Sequence, residues 1–457
     1  MLKRDPASFR DPSSTLSVGQ TTVSRIIRGK QAAVLAGVID RESIKQLMAD
    51  RDLIAVIDET QLDKGEILLT HPLLKGITYP FEWSFEMLKA AALLHLKVHK
   101  SLLEDELTLR DGSSYNIAFQ GCQPIFIDFG SIGEYQVGEN WSGFSQFCSL
   151  FLYPLMISSY LGVDHRRFLQ SSVDGLTVDD VRKLIPASIK YKRGRFRYVV
   201  VPSLLESRMK HSNLTSSQVE MPKKALIKML TSLEKFITTL DSSRLSRGVW
   251  SDYTKREHYE RESLDQKIDF VRQVCSQKRR HQVWDLGAND CLFSRIAADY
   301  ADQVLAVDLD AAVVDRNFQE IRSLPQFRHV ITPAAIDLKN ATNGLGWIGG
   351  ERMSLADRFS PDLTLYLAVA HHVGITAHVP LEIQLEFIFR TSAECVFELP
   401  LNSDPKVIHL ARNMKESHIG QFVENYFESR LPSNVKIALK HKLNDHRVIY
   451  HLVADRS

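Results

Sequence analysis

At 457 residues the chain exceeds what one ordinary hydrophobic core organises, so two domains are expected. Its 44% hydrophobic and 25% charged residues are those of a globular protein, and a net charge of +2 leaves no field for nucleic acid or for strongly basic partners. Five scattered cysteines (Cys122, Cys148, Cys275, Cys291, Cys395), without CxxC or histidine pairs at metal-ligand spacing, exclude a disulfide framework and point to reduced thiols in the cytosol, with no metal site.

Residues 1–20 are polar, lack the apolar run of a signal peptide, and read as a loose arm. From Thr22 to Pro80, the runs VSRIIR, LIAVID and EILLTH surround a helical segment, ESIKQLMAD, which predicts a small mixed unit. A long helix follows over FEWSFEMLKAAALLHLKVHKSLLED, with apolar residues at helical spacing. YNIAF and PIFIDFG, joined by Gln-Gly-Cys-Gln, read as a hairpin. The region from Trp141 to Leu240 is expected to be mostly helical. Its most apolar stretch, Phe144 to Val163, is broken by serines, Gln146 and Pro154, which suits a buried helix rather than a membrane span. The basic run KYKRGRFRY reads as a solvated hairpin, although such a run also suits a phosphate or carboxylate.

The polar stretch from Asp241 to Ser263 has no core-forming periodicity and marks a linker, with the domain boundary near Arg244 to Trp250. The expected division is an arm at 1–20, an α+β domain at 21–243, a linker and cofactor-covering segment at 244–262, and a second domain at 263–457. After the linker, strands alternate with helices from SLDQKIDFVRQVC and QVWDLGA to a terminal strand pair at VKIALKHKL and RVIYHLVAD. That alternation predicts a mostly parallel sheet covered by helices on both faces.

Open sheets of this kind bind ligands at the carboxyl ends of their strands. The first strand of the second domain ends in Asp285-Leu-Gly287-Ala288-Asn289-Asp290-Cys291, where Gly287 permits a tight turn and close approach to a ligand. The second ends at Asp308, about twenty residues on, where a carboxylate can accept bonds from both ribose hydroxyls. A dinucleotide would call for GxGxxG at a helix N-terminus. This loop offers Asp285 and Asp290 instead, which repel a diphosphate but suit the ammonium and sulfonium of S-adenosylmethionine (SAM).

On these residues the sequence from about 250 to 457 resembles the class I SAM-dependent methyltransferases. Their first motif, D-L-G-x-N-x-G, is matched from Asp285 to Cys291, with cysteine in place of the last glycine. The resemblance implies a seven-stranded Rossmann-like domain with SAM held by Asp285, Gly287 and Asn289. It assigns the ribose to Asp308, the adenine amine to Asp337, and the methionyl end to the aromatics Tyr253 and Tyr259. The fourth strand, PDLTLYLAVAHHVG, should present His371 and His372 beside the methyl group, on opposite sides of a strand end. Either is a candidate base for a hydroxyl or protonated amine, or both simply shape the pocket. Glu398 and His378 are candidates for the acceptor side, with Glu382 nearby.

In the front half, Asp111, Asn116 and the Asp128-Phe129-Gly130 triplet follow the order of a kinase catalytic loop, where a base aspartate precedes a metal-binding asparagine and aspartate. Residues 80–240 thus resemble the protein-kinase-like and small-molecule phosphotransferase superfamily. They depart from it in having no VAIK-type lysine, no glycine-rich loop, and Leu109 where a histidine is expected. The expectation is a degenerate kinase-like domain that binds substrate or supports catalysis; turn and cap roles for the same carboxylates are the alternative. The two-part layout resembles a bacterial group of methyltransferases, some of them labelled nodulation proteins. The sequence thus leads to a cytosolic enzyme that methylates oxygen or nitrogen of a small molecule, without nucleic-acid or membrane partners. The contrasting reading is a pseudokinase scaffold or a phosphotransferase with a methyltransferase-like appendage.

Overall fold

The computed structural model describes residues 14–186, 198–199, 221–245, 261–341, 344–412 and 419–455. The chain divides into two compact units. Unit 1 comprises Met1–Phe119, Pro124–Ser246 and Asn343–Met353; unit 2 comprises Gln120–Gln123, Arg247–Thr342 and Ser354–Ser457.

In unit 1, strands β1 (Ser14–Val18), β2 (Thr22–Ile27), β3 (Asp58–Gln61) and β4 (Ile67–Pro72) form an antiparallel sheet in the order β1-β2-β4-β3. β1 corrects the expectation of a loose arm for Ser14–Val18, while residues 1–13 lie outside the described residues. Ser14 is buried and accepts a hydrogen bond from Arg25 of β2 (3.1 Å), so cross-strand pairing overrides the polar composition of this stretch. The long helix Phe85–Glu104 buries 13 of its 20 residues, too many for a one-faced surface helix, and so forms the centre of the unit. After it come β5 (Leu107–Leu109), the hairpin β6 (Ile117–Gln120) and β7 (Gln123–Phe126), and β8 (Ile132–Glu134), which pairs with β5. The helical run Phe144–Leu161 is long and apolar enough to cross a membrane, but 67% of it is buried inside the protein. Its centre, Cys148–Leu152, is a π-helical turn.

The first helix described in unit 2 is Arg261–Ser276. Seven strands follow: β9 (Arg280–Leu286), β10 (Ala301–Asp308), β11 (Ile331–Ala335), β12 (Leu363–Tyr366), β13 (Glu394–Pro400), β14 (Val435–Asn444) and β15 (Arg447–Ala454). They form one sheet in the order β11-β10-β9-β12-β13-β15-β14. The first five are parallel, and β15 runs antiparallel between β13 and β14. Counted within the unit this is 3-2-1-4-5-7-6 with the seventh strand reversed, the class I methyltransferase fold. The central strands are buried on both faces, as helices on both sides require. Trp284, Leu305, Tyr366, Phe397, Phe427 and Tyr450 fill the core.

Strand order reverses between β9 and β12, and the crevice at that switch is where such sheets take ligands. β12 ends at Tyr366, earlier than PDLTLYLAV implied. Ala368 turns into the left-handed region (φ +57°), and the chain passes into a helical turn at His371.

Candidate functional site

A cavity of about 670 Å³ opens in unit 2 at the carboxyl ends of β9, β10, β11 and β12. Its first wall is the loop after β9. Gly287 adopts φ +83°, and a Cβ there would stand 2.3 Å from Val369 Cγ2, so only glycine fits. The N–H groups of Gly287 and Ala288 both donate to the Val307 carbonyl (2.8 Å each), which folds the loop back over β10.

Asn289 and Cys291 are also left-handed (φ +46° and +57°). Cys291 thus takes a left-handed backbone conformation that favours glycine, at a cost of about 1–2 kcal/mol. It is fully buried and does not line the cavity, so the substitution leaves the loop's inner surface unobstructed.

Four carboxylates line this half of the cavity: Asp285, Asp290, Asp308 and Asp337. Asp285 is buried, accepts the Ser294 hydroxyl proton (2.6 Å), and is pushed by burial up to about 6. Asp308 accepts the N–H groups of Asn289 (3.0 Å) and Asp310 (2.9 Å), which lock its rotamer; burial raises its pKa. Asp337 caps the short turn Leu338–Asn340 by accepting the Lys339 N–H (3.0 Å). Clustered carboxylates beside a glycine-lined turn suit a cationic ligand that carries hydroxyls and an amine, and repel a diphosphate. Tyr253 and Tyr259 lie outside the described residues.

His371 and His372 line the same cavity, but not as strand-end neighbours facing opposite ways. They sit where the chain enters the π-helical turn His372–Thr376, and their ring centroids are 4.0 Å apart. A helical backbone turns successive side chains by about 100°, not 180°, which keeps both rings on one wall. His371 is 1% exposed and its Nδ1 has no hydrogen-bond partner; His372 is half-buried. Burial, then the charges of Arg447 and Lys406, lowers His372 to about 4. Burial also holds His371 well below the usual imidazole range, with further lowering from His372. Both rings are neutral at physiological pH.

Beneath the histidines runs a chain of ion pairs. Glu398, fully buried, pairs with Lys267 Nζ (2.5 Å) and Arg447 Nη1 (2.8 Å), and Arg447 Nε reaches Asp404 (2.7 Å). Asp404 in turn caps the helix Pro405–Leu410 through the Lys406 N–H (2.7 Å). Lys267, Asp404, Lys406 and Arg447 line the cavity, whereas Glu398 does not. Glu398 therefore reaches the cavity only through the two cations it pairs with. Its carboxylate falls to about 2: burial raises it, but the attraction of Lys267 and Arg447 prevails.

His378 also departs from expectation. It is exposed, left-handed (φ +57°) and off the cavity, because the chain has turned outward after the π turn. Glu382 accepts the Tyr426 hydroxyl proton (2.7 Å) and likewise faces away from the cavity lining. Lys267 was missed in the sequence although it carried a signal: it falls in the buried stripe of Ser263, Phe270, Val271 and Val274, where a lysine needs a partner. Arg447 and Lys406 had no such signal.

In unit 1, Asp128 accepts the Gly130 N–H (3.1 Å) and pairs with Arg25 Nη1 (2.9 Å). Arg25 is thus a strand cation opposite the Asp-Phe-Gly aspartate. In the sequence it is one of two arginines, with Arg28, in the run VSRIIR. Asn116 keeps a buried Nδ2 without a hydrogen-bond partner, while its carbonyl accepts the Ile127 N–H (2.9 Å). The Asp111 side chain is exposed, and its carbonyl is bonded to His95 Nε2 (3.0 Å).

No protein-family model matches the chain. It is similar to nodulation protein NoeA of Rhizobium meliloti (strain 1021): 30% identical over 454 residues, covering 96% of this chain and 93% of that protein. Among solved structures, the N-methyltransferase NodS from Bradyrhizobium japonicum WM9 with S-adenosyl-L-homocysteine (SAH) is 12% identical. The match spans 50% of this chain and 98% of that one, at a TM-score of 0.29. The bifunctional kinase-methyltransferase WbdD is 13% identical, over 46% and 43% of the respective chains, at a TM-score of 0.30.

Proposed function

The chain belongs to the family of nodulation protein NoeA, and we propose that it is a SAM-dependent methyltransferase acting on oxygen or nitrogen of a small molecule. The observation that carries this reading is the cavity at the switch point of a 3-2-1-4-5-7-6 sheet, with a glycine turn and buried carboxylates on one half and a histidine pair on the other. When bound, SAM supplies an electrophilic methyl group on a cationic sulfonium. Asp308, fixed by two backbone N–H groups, would hold the ribose; Asp337 the adenine amine; Asp285, through its negative charge, the methionyl ammonium.

The remaining task of the protein is alignment and exclusion of water. His372, half-buried on the cavity wall, is the ring that would meet the acceptor, with His371 packed beside it. Neutral imidazoles orient an acceptor by hydrogen bonding at any pH near 7, but a ring brought down to about 4 is a weak proton acceptor. In unit 1 the pairing of Asp128 with Arg25 places a fixed cation where a phosphotransferase would need a metal-binding carboxylate free. That favours support or substrate binding over phosphoryl transfer.

Calorimetric titration with SAM and, separately, with ATP and Mg²⁺ tests the reading. SAM should bind, with Asp308→Ala weakening it about 100-fold through loss of two charge-assisted bonds, and ATP should give no heat. ATP binding without SAM binding would reverse the assignment.

A further inference from the structure

One buried cation stands on the carboxylate side of the cavity. Lys267, on the helix Arg261–Ser276, is 3% exposed and lines the cavity with Asp285, Gly287 and Phe293. Its ammonium pairs with Glu398 (2.5 Å) and lies over the Phe293 ring, 4.6 Å from the centroid. Phe293 is followed on the helix Leu292–Ala298 by Ser294, whose hydroxyl donates to Asp285 (2.6 Å). Lys267 and Asp285 are therefore anchored to consecutive residues of one helix, and the field of the ammonium draws the Asp285 carboxyl down against burial. The other lysines and the arginine described on the lining face other groups. Lys339 pairs with Asp337 (3.8 Å), while Arg447 and Lys406 act on both histidines, and on His371 more strongly than Lys267 does.

The methionyl end of SAM carries an ammonium and a carboxylate on one carbon atom, so their partners must stand side by side. An ionised Asp285 suits the ammonium and repels the carboxylate, which is best met by a charged donor. We propose, resting on the SAM-dependent reading above, that Lys267 donates to the methionyl carboxylate, so that Lys267 and Asp285 together take the zwitterion. A lysine ammonium carries three protons, so pairing with Glu398 and donating to a ligand are compatible. Glu398 binds Lys267 through one oxygen and Arg447 through the other (2.8 Å), which fixes the ammonium in place. The arrangement selects against a ligand that has the ammonium alone. Such a ligand gains no bond from Lys267 and meets a like charge there.

The test uses the full-length protein, titrated calorimetrically with SAH and with its decarboxylated counterpart, S-adenosyl-3-thiopropylamine, which has hydrogen in place of the carboxylate. SAH should bind about 30-fold more tightly than the amine. Lys267→Met should weaken SAH by that factor and leave the amine no weaker, so that the preference disappears. A merely structural role would weaken both ligands alike. Because this substitution takes a buried partner from Glu398, the double variant Lys267→Met/Glu398→Gln is measured beside it, with thermal unfolding of both, and should show the same lost preference. Equal binding of the two ligands by the unsubstituted protein, or a preference that survives in either folded variant, would overturn the proposal. The unsubstituted protein also separates the failures: SAH bound without preference removes the role of Lys267 alone, whereas SAH silent removes the SAM-dependent reading and this proposal with it.

Discussion

Asp285 shows how burial and charge combine at a single position. Its carboxyl is raised to about 6, chiefly by burial; the Ser294 hydroxyl and Lys267 oppose the rise, and Asp290 and Asp308 add to it. Without ligand, between about pH 4 and 6 the folded protein therefore holds a proton there that the unfolded chain has lost, and keeping the group ionised at pH 7 costs stability. A cation in the cavity favours the ionised form. SAM affinity should accordingly fall as pH drops through about 6, by up to tenfold per pH unit below it. Titrations at pH 7.5, 6.5 and 5.5 would read this; an affinity that stays constant to pH 5.5 would remove Asp285 from the ligand's charge partners. Cys291 makes a different residue-scale point. A departure from a glycine motif need not alter a site when the side chain points into the core and the backbone keeps a left-handed conformation.

Among the elements, β9 and β13 approach the cavity and its ion pairs at one end and form a buried ion cluster at the other. Their carboxyl ends supply Asp285 and Glu398. At their amino ends, Arg280, 2% exposed, meets Glu394 (2.8 Å), which also pairs with Lys278 (2.5 Å) and His451 (3.2 Å). Arg280 spends further protons on the carbonyls of Cys275 and Lys278 (3.0 Å each), so its charge is tied down within the protein. Burial alone would raise Glu394, yet its hydrogen bonds to His451, Lys278 and Arg280 hold it well below the carboxylate range and keep it ionised. Removing it leaves a buried guanidinium uncompensated. Glu394→Ala should cost about 3–5 kcal/mol, read by urea unfolding of unit 2. A cost below about 1 kcal/mol would show that solvent reaches Arg280. The helix Phe85–Glu104 carries the analogous load in unit 1, where His95 and His99 sit in its buried face with Nδ1 atoms that lack hydrogen-bond partners.

For the molecule as a whole, those histidines predict unequal acid tolerance. Burial holds His71, His95 and His165 near 4 and His99 also well below its usual value, and all four belong to unit 1; among the described residues unit 2 has two such rings, His371 and His372. The unfolded chain takes up protons below about 6.5, whereas the fold does so only near 4. Stability present in full above pH 6.5 is therefore lost as pH falls toward 4. At pH 5 each of the three rings near 4 accounts for about 2 kcal/mol, together on the order of 6, which is comparable with the whole stability of an ordinary domain. Hydrogen exchange, corrected for intrinsic rates, should show Phe85–Glu104 losing protection between pH 6.5 and 5 before β9 and β10 do. Equal protection in the two units at pH 5 would count against this.

What the sequence by itself determined is local. The alternation of strands and helices, the glycine turn after β9, and aspartates at the ends of β10 and β11 all follow from short-range periodicity and from residues whose chemistry is bound to a turn or strand end. The same holds for the helix Phe85–Glu104 and the β6–β7 hairpin. The tertiary structure alone decided the ion-paired half of the cavity. Lys267, Glu398, Asp404 and Arg447 are separated by up to 180 residues and meet because β15 inserts antiparallel between β13 and β14, an ordering that no local pattern encodes. It also decided the histidines' shared wall, since one left-handed residue, Ala368, ends the strand and starts a helical turn that periodicity over so short a run cannot register. In unit 1 it decided that Asp128 faces Arg25, because cross-strand and interlayer partners are chosen by packing, which acts between segments distant in sequence.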